Sequence, residues 1–214
     1  MENVKQLVGH DKGKTMSVIM STLEEIGYVC DYKVLNALNF GLPQKRERVF
    51  IVGHLGVGET EWPSVKIPMK PLSEILEPDA DVPEKFWASD YIKNKRKVSH
   101  TPKETPSIWH ENKAGNVTSY PYSCALRANA SYNYLLVNGE RRLTPRESLR
   151  LQGFPETFNI VCTDEQTKKQ AGNALPVPVA KEVVKPIIQR LAAPSSRTRQ
   201  VKERGVAYGA GAKA

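Results

Sequence analysis

The segment LPQKRERVFIVG, residues 42–53, runs from a polar loop into a strand that is apolar on both of its faces. The part from Arg48 to Gly53 lacks alternation of polar and apolar residues, which predicts a strand covered on both sides. Gln44, Arg46 and Arg48 occupy alternate positions at the mouth of this strand and are expected to face one surface. Guanidinium groups there suit a phosphate or a carbonyl oxygen; the alternative is edge charges that discourage aggregation.

The residues before this segment predict one helix and one further strand. Residues 15–26 carry apolar side chains at helical spacing, and Gly27 is a typical stop after a helix. Residues 28–35 are typical of a strand. Because two strands and one helix are marginal alone in water, we predict that the rest of the sheet lies elsewhere.

Residues 56–137 are predicted to form a small, loop-rich domain. They hold more than half of the fifteen prolines and all three tryptophans, and such proline density breaks long helices and central strands. The densest basic cluster, YIKNKRK at 91–97, is either a solvated face or a binding surface for a polyanion. Residues 119–137 mix tyrosine and asparagine without an apolar period, which is typical of a contact surface.

Helical patterns return after residue 138. Capping boxes at 144–147 and 163–166 predict two helices, the first of which is ended by Gly153. A final helix carries apolar residues on one face between 179 and 191, with a kink near Pro186.

The charge of the chain favours a polyanionic partner. The 214 residues include 31 Lys and Arg against 23 Asp and Glu, a formal net charge of +8. About half of this excess lies in residues 193–214, which are predicted to be a disordered basic tail. Three cysteines without CxxC spacing argue against a disulfide framework and a zinc knuckle, and no metal site is predicted. No apolar run reaches the roughly 20 residues of a bilayer span, so a soluble protein without membrane contact is predicted.

Four strings of residues, taken in order, resemble the later motifs of the cytosine-5 DNA methyltransferase family. Glu2-Asn3-Val4 is similar to its ENV motif, and residues 42–53 are similar to its QxRxR motif. RLTPRESLRLQGFP at 142–155 is similar to the motif before the final helices, and QAGNALPVPVAKEV at 170–183 to the GN-containing motif. A lone QxRxR is a weak signal, but four strings in family order are a specific one.

The resemblance extends to about residue 192 and implies an α/β fold. The chain would be the C-terminal portion of a Rossmann-like, S-adenosyl-L-methionine-dependent methyltransferase sheet plus a small mixed domain. Residues 1–55 would be a partial catalytic α/β domain, and residues 56–137 the target-recognition domain. Residues 138–192 would be helices that return to the catalytic domain, followed by the tail at 193–214.

The resemblance also implies roles for single residues. In this family a cysteine thiolate adds to carbon 6 of a flipped-out cytosine, and carbon 5 then attacks the methyl group of S-adenosyl-L-methionine. Glu2 would be the acid at ring nitrogen 3, Arg48 would hold the cytosine O2 and a phosphate, and Arg46 would hold the DNA backbone. Asn173 and Ala174 would help to close the methyl-donor pocket.

Five polar residues are candidate contacts with double-stranded DNA. Asparagine and arginine side chains match base edges in the major groove, and for Arg127, Asn129 and Asn133 packing within the recognition domain is the alternative. The arginine of TPRE would either dock the recognition domain on the catalytic domain or meet a phosphate. The candidates are Gln44, Arg127, Asn129, Asn133 and Arg146.

Two family motifs are absent from the chain. None of Cys30, Cys124 and Cys162 lies between Pro and Gln, as the family's nucleophile does, and there is no FxGxG turn. The resemblance therefore implies a split or truncated enzyme, inactive alone, that needs a complementary N-terminal subunit carrying the cysteine and most of the S-adenosyl-L-methionine site. The alternative is a non-catalytic DNA-binding module or a gene remnant. A cytoplasmic, nucleoid-associated location is expected.

Overall fold

The computed structural model describes residues 1–55, 58–64, 66–131 and 133–192; the predicted tail at 193–214 lies outside the described residues. The strands are β1 (Glu2–Val4), β2 (Tyr28–Asn36), β3 (Gln44–Lys45), β4 (Glu47–Leu55), β5 (Ile108–Glu111), β6 (Val117–Tyr120), β7 (Ser123–Cys124) and β8 (Leu135–Val137). The α-helices are α1 (Lys14–Glu25), α2 (Asp90–Ser99), α3 (Pro145–Leu151), α4 (Asp164–Asn173) and α5 (Val177–Ala192).

Strands β1, β4 and β2 form a first sheet, antiparallel and in that order, with β4 in the centre. The predicted helix at 15–26 is α1, and the strands predicted at 28–35 and 48–53 are β2 and β4, so these predictions are confirmed to within two residues. The expectation that residues 1–54 hold only two strands is wrong. Strands β1 and β3 escaped prediction because two or three residues are too few to show a period.

Both faces of β4 are covered, as its apolar sequence predicts. Val49 and Ile51 pack on one side with α1, whereas Phe50 and Val52 pack on the other side with α5. The cover on the two faces comes from helices of this same chain.

Short strands dominate the described part of residues 58–137. Strands β6, β5 and β8 form an antiparallel sheet, and β7 pairs in parallel with β3, which joins this region to the residues before β4. The basic cluster at 91–97 lies inside α2, a helix that the sequence pattern did not predict. Arg96 of this cluster is buried and pairs with Glu111 of β5 at 3.0 Å, so its charge contributes to packing rather than to a free surface.

The last three helices divide between two cores. Leu149 of α3 and Ala171 of α4 pack with Ile108 of β5 and Val137 of β8. These two strands belong to the described part of residues 58–137, called the second region below. Helix α5 packs instead on the first sheet, beside Phe50. Of the helices predicted at 138–192, α5 therefore packs on the first sheet, whereas α3 and α4 extend the core that contains β5 and β8.

The predicted capping boxes mark real helix starts. Helices α3 and α4 begin directly after Thr144 and Thr163. Thr144 N donates to the Glu147 carboxylate at 2.8 Å, and Glu147 N donates to the Thr144 hydroxyl at 3.1 Å. No helix in the described ranges is both long and apolar enough to cross a bilayer.

Candidate active site

Glu2 and Arg48 meet on one face of the first sheet. The register pairs Glu2 with Phe50 and Val4 with Arg48, so Glu2 and Arg48 are diagonal neighbours on the same face. Arg48 Nε lies 3.1 Å from Glu2 Oε1, and the two side chains are 15% and 21% exposed. The structure thus brings two of the predicted catalytic residues into direct contact.

The first residue of the chain is hydrogen-bonded into the sheet, and this positions Glu2. Ile51 N donates to the Met1 carbonyl at 2.9 Å, and the Met1 ammonium group donates to the Ile51 carbonyl at 2.7 Å. Arg48 Nη1 donates to the Glu47 carbonyl at 2.8 Å. Burial lowers the pKa of Arg48, and the Glu2 carboxylate opposes this shift. Backbone hydrogen bonds next to Glu2 and at Arg48 therefore fix the position of the pair, while part of each side chain stays exposed.

Arg46 faces the interior of the protein. Its guanidinium donates to the carbonyls of Leu126 at 3.0 Å, Gly172 at 3.1 Å and Ala174 at 2.9 Å, and the residue is 2% exposed. Burial, and then repulsion from Arg48, lowers the pKa of Arg46 to about 10. These contacts tie the strand mouth to the second region and to the end of α4. They favour a structural role, and the contact with the DNA backbone stays a prediction.

Two of the predicted DNA contacts also bond to the protein backbone. Gln44 is fully buried; its Nε2 donates to the Leu151 carbonyl at 2.8 Å, and its Oε1 accepts from Leu126 N at 3.1 Å. Arg146 Nη2 donates to the Phe158 carbonyl at 3.0 Å. For Gln44 the geometry favours a structural role, while Arg146 keeps part of its side chain exposed.

The predicted contacts on the second region are more open. Arg127 and Asn129 are exposed, and the Arg127 guanidinium lies over the Tyr134 ring at 4.9 Å. The Tyr134 hydroxyl accepts from Arg127 N at 3.1 Å, and this bond fixes the backbone at Arg127. Asn133 is half-buried, and its Oδ1 accepts from Arg142 Nη1 at 3.4 Å. Arg127 and Asn129 are thus free to reach a ligand, whereas Asn133 already has a protein partner.

The residues predicted to close the methyl-donor pocket lie at the end of α4. Asn173 is exposed, so its amide is accessible, while the Ala174 carbonyl is already bonded to Arg46. One accessible amide fits a polar contact with S-adenosyl-L-methionine. The sequence has no FxGxG turn, and an incomplete S-adenosyl-L-methionine site stays a prediction.

Gly172 of the GN string allows α4 to touch the backbone of the second region. A Cβ atom at this position would lie 2.5 Å from Ala128 N and 2.8 Å from the Arg127 carbonyl carbon. Gly172→Ala is therefore expected to lower the free energy of unfolding by about 1–3 kcal/mol, measured by urea denaturation. Gly9→Ala is the matched control because open space surrounds Gly9. Equal losses in the two variants would contradict the close packing.

Two of the three cysteines have the opposite character to an activated nucleophile. Burial raises the pKa of the thiols of both Cys30 and Cys124. Cys162 lies just before α4, and its Sγ is 3.8 Å from Gln170 Nε2. Burial thus disfavours the thiolate form of two of the three cysteines, and the supply of the nucleophile by another chain stays a prediction.

Comparison with known proteins identifies the family that has this fold and these motifs. The sequence model described as C-5 cytosine-specific DNA methylase matches residues 1–189. The chain belongs to this family. The recognition made from the four motifs is thereby confirmed.

Two similar Type II methyltransferases are longer than this chain. Type II methyltransferase M.NgoBI of Neisseria gonorrhoeae is 52% identical over 180 residues, which cover 84% of this chain and 57% of the relative. Type II methyltransferase M.HaeII of Haemophilus aegyptius is 51% identical over 193 residues, 89% of this chain and 60% of the relative. The chain therefore spans less than two thirds of these relatives.

Solved structures support the same fold. The crystal structure of S. pombe Dnmt2 methyltransferase matches with a TM-score of 0.63 at 19% identity, covering 89% of this chain and 66% of that one. The Entamoeba histolytica methyltransferase EhMeth matches with a TM-score of 0.62 at 14% identity, over 87% and 62% of the two chains. At these identities the likeness concerns the fold alone, and the predicted α/β methyltransferase fold is confirmed.

Proposed function

We propose that this methylase chain supplies the proton donor and the guanidinium group for cytosine-5 methylation of double-stranded DNA. The observation that carries the proposal is the contact between Glu2 and Arg48, partly buried and on one face of the sheet. A complementary polypeptide would contribute the nucleophilic cysteine and most of the S-adenosyl-L-methionine site. The family match to residues 1–189 supports the reaction class.

The pair suits the edge of a cytosine ring. Ring nitrogen 3 and O2 are neighbouring acceptors, so a protonated carboxyl of Glu2 can donate to nitrogen 3 while Arg48 donates to O2. Donation at nitrogen 3 withdraws electrons from carbon 6 and makes it susceptible to a thiolate. Arg48 places a fixed positive charge beside the oxygen on which negative charge develops.

The residues of this chain indicate which parts of the active site it would contribute and which parts the complementary polypeptide would contribute. Asn173 is the accessible polar group that could contact S-adenosyl-L-methionine, which when bound supplies the methyl group for carbon 5. The sequence lacks Pro-Cys-Gln and FxGxG. Arg127 and Asn129 are exposed on the second region and would contact the DNA target. Arg46 would connect the strand that carries Arg48 to the segment that carries Arg127 and Asn129, through its bonds to backbone carbonyls.

Transfer of radiolabelled methyl groups to cytosine in duplex DNA tests this proposal. The chain alone is expected to transfer none. A mixture with the product of a neighbouring reading frame that carries FxGxG and Pro-Cys-Gln is expected to methylate the DNA and to protect it from a methylation-sensitive nuclease. Transfer by the chain alone would contradict the division between two polypeptides. DNA binding without transfer in the co-purified mixture would favour the non-catalytic module.

A further inference from the structure

A cleft of about 580 Å³ lies between the segment of residues 126–131 and helix α4. Five basic side chains line it, against two carboxylates at the start of α4. The volume is typical of a ligand site, and the excess positive charge favours an anion. The basic residues are Lys85, Arg127, Arg142, Lys168 and Lys169.

Lys168 is a partly buried cation of this cleft without a counterion in the described ranges. Its Nζ lies 4.6 Å from the centroid of the Phe86 ring, and no described carboxylate lies within 4 Å of it. Lys85 lies 5.2 Å from the same ring but pairs with Asp164 at 2.6 Å. An aromatic face attracts an ammonium group without neutralising it.

The surroundings of Lys168 disfavour its charged form. Burial, and then repulsion from Arg142, lowers the pKa of Lys168 to about 8. The nearby carboxylates are engaged elsewhere, Asp164 with another lysine and Glu147 with Arg141. An anion that entered the cleft would complete this charge arrangement.

The cleft is adjacent to the elements that surround the catalytic pair. Lys168 precedes Gly172 by four residues, about 6 Å along the helix axis. The carbonyls of Gly172 and Leu126 both accept from Arg46, which is two residues from Arg48. The segment of residues 126–131 and helix α4, which line the cleft, therefore both contact the residue two positions before Arg48.

We propose that a phosphodiester of the DNA backbone binds in this cleft and that Lys168 is the residue that contacts it. The proposal rests on the proposed function, since it takes the DNA substrate as the ligand. It adds α4 to the DNA-contacting surface. The exposed Arg127 and Lys169 at the rim would interact with neighbouring phosphates.

Fluorescence anisotropy with a labelled cytosine-containing duplex, across a series of salt concentrations, tests this site in the full chain. Lys168→Gln is expected to weaken binding about five- to tenfold at 0.1 M salt and to reduce the slope of log K against log salt by about 0.9. Lys181→Gln, on the exposed side of α5, is the matched control and should change neither quantity. Thermal unfolding of both variants shows that each is folded.

The pH dependence gives a second readout. Binding to the unmodified chain should weaken up to tenfold between pH 7 and pH 9, because DNA favours the protonated lysine and Lys168 loses its proton near pH 8. Lys168→Gln should remove this dependence. The charged groups that face Lys168 are Lys85, Arg142, Asp164 and Glu147, and each remains in the variant.

Three outcomes would overturn the proposal. Equal behaviour of Lys168→Gln and Lys181→Gln would show that Lys168 does not contact DNA. A second contrary result is that millimolar inorganic phosphate raises the Tm of the unmodified chain but not of Lys168→Gln, while the two proteins bind DNA equally well. The cleft would then be a site for a free phosphate. No duplex binding by the unmodified chain would remove the DNA ligand altogether. Failure of methyl transfer with normal DNA binding would count against the proposed function alone.

Discussion

Glu2→Gln, tested in the mixture of the two polypeptides, is expected to lower the rate of methyl transfer about 10²–10⁴-fold. Glutamine has nearly the same shape and can still donate an N–H to ring nitrogen 3, but it cannot transfer a proton there. The activation of carbon 6 would be lost while the position of the base would not change. Initial rates of label transfer at saturating DNA measure the effect.

The control for this variant is Glu25→Gln, an exposed carboxylate at the end of α1. It should leave the rate unchanged. Duplex binding by Glu2→Gln should stay within about twofold of the original chain, because the phosphate contacts are made by other residues. An unchanged rate would remove Glu2 from the chemistry. A loss of DNA binding in step with activity would assign Glu2 to the structure of β1 instead.

Much of the first sheet could be predicted from the sequence because its periods are long enough to see. Helix α1 and strands β2 and β4 each extend over at least nine residues. Strand β1 has three residues and forms because Met1 and Asn3 find partners on β4, a contact across about fifty residues of chain. Such pairing depends on tertiary packing and leaves no local pattern.

The arginine string illustrates what spacing can and cannot determine. The alternating pattern correctly placed Arg46 and Arg48 at the mouth of a strand. It did not show whether these side chains face solvent or the interior of the protein. The carbonyls that Arg46 contacts belong to Leu126 and to the end of α4, 80 or more residues away. Lys168 escaped notice for the same reason, since its cleft forms only when α4 packs on the 126–131 segment.

The capping box, by contrast, is a local signal, and the structure adds a buried ion pair to it. Glu147 is completely buried and accepts from Thr144 N, from Glu77 N and from both terminal nitrogens of Arg141, the last at 2.9 and 3.0 Å. Arg141 is also buried, and its Nε donates to Asp79 at 2.6 Å. One carboxylate thus joins the first turn of α3 to the loop before α2.

Glu147→Gln is expected to lower the free energy of unfolding by about 3–5 kcal/mol, because it leaves the Arg141 guanidinium buried without the carboxylate that faces it. The amide can replace one acceptor but presents N–H groups where two donors already point. Urea denaturation measures the loss. Glu156→Gln is the matched control: Glu156 is 61% exposed, and its pair with Arg150 should contribute no more than about 1 kcal/mol.

A double-mutant cycle separates the ion pair from the cap. Arg141→Met should cost a similar amount alone, and the double variant should cost clearly less than the sum, since neither charge is then left buried without its partner. Additive losses would mean that Glu147 acts through Thr144 N and Glu77 N, and that the guanidinium is stabilised by Asp79. Helix α3 packs in the core of the second region, whereas α5 packs on the first sheet. The variants of this cycle should therefore destabilise the second region first. Amides of β4 should be the last to lose their protection from hydrogen exchange.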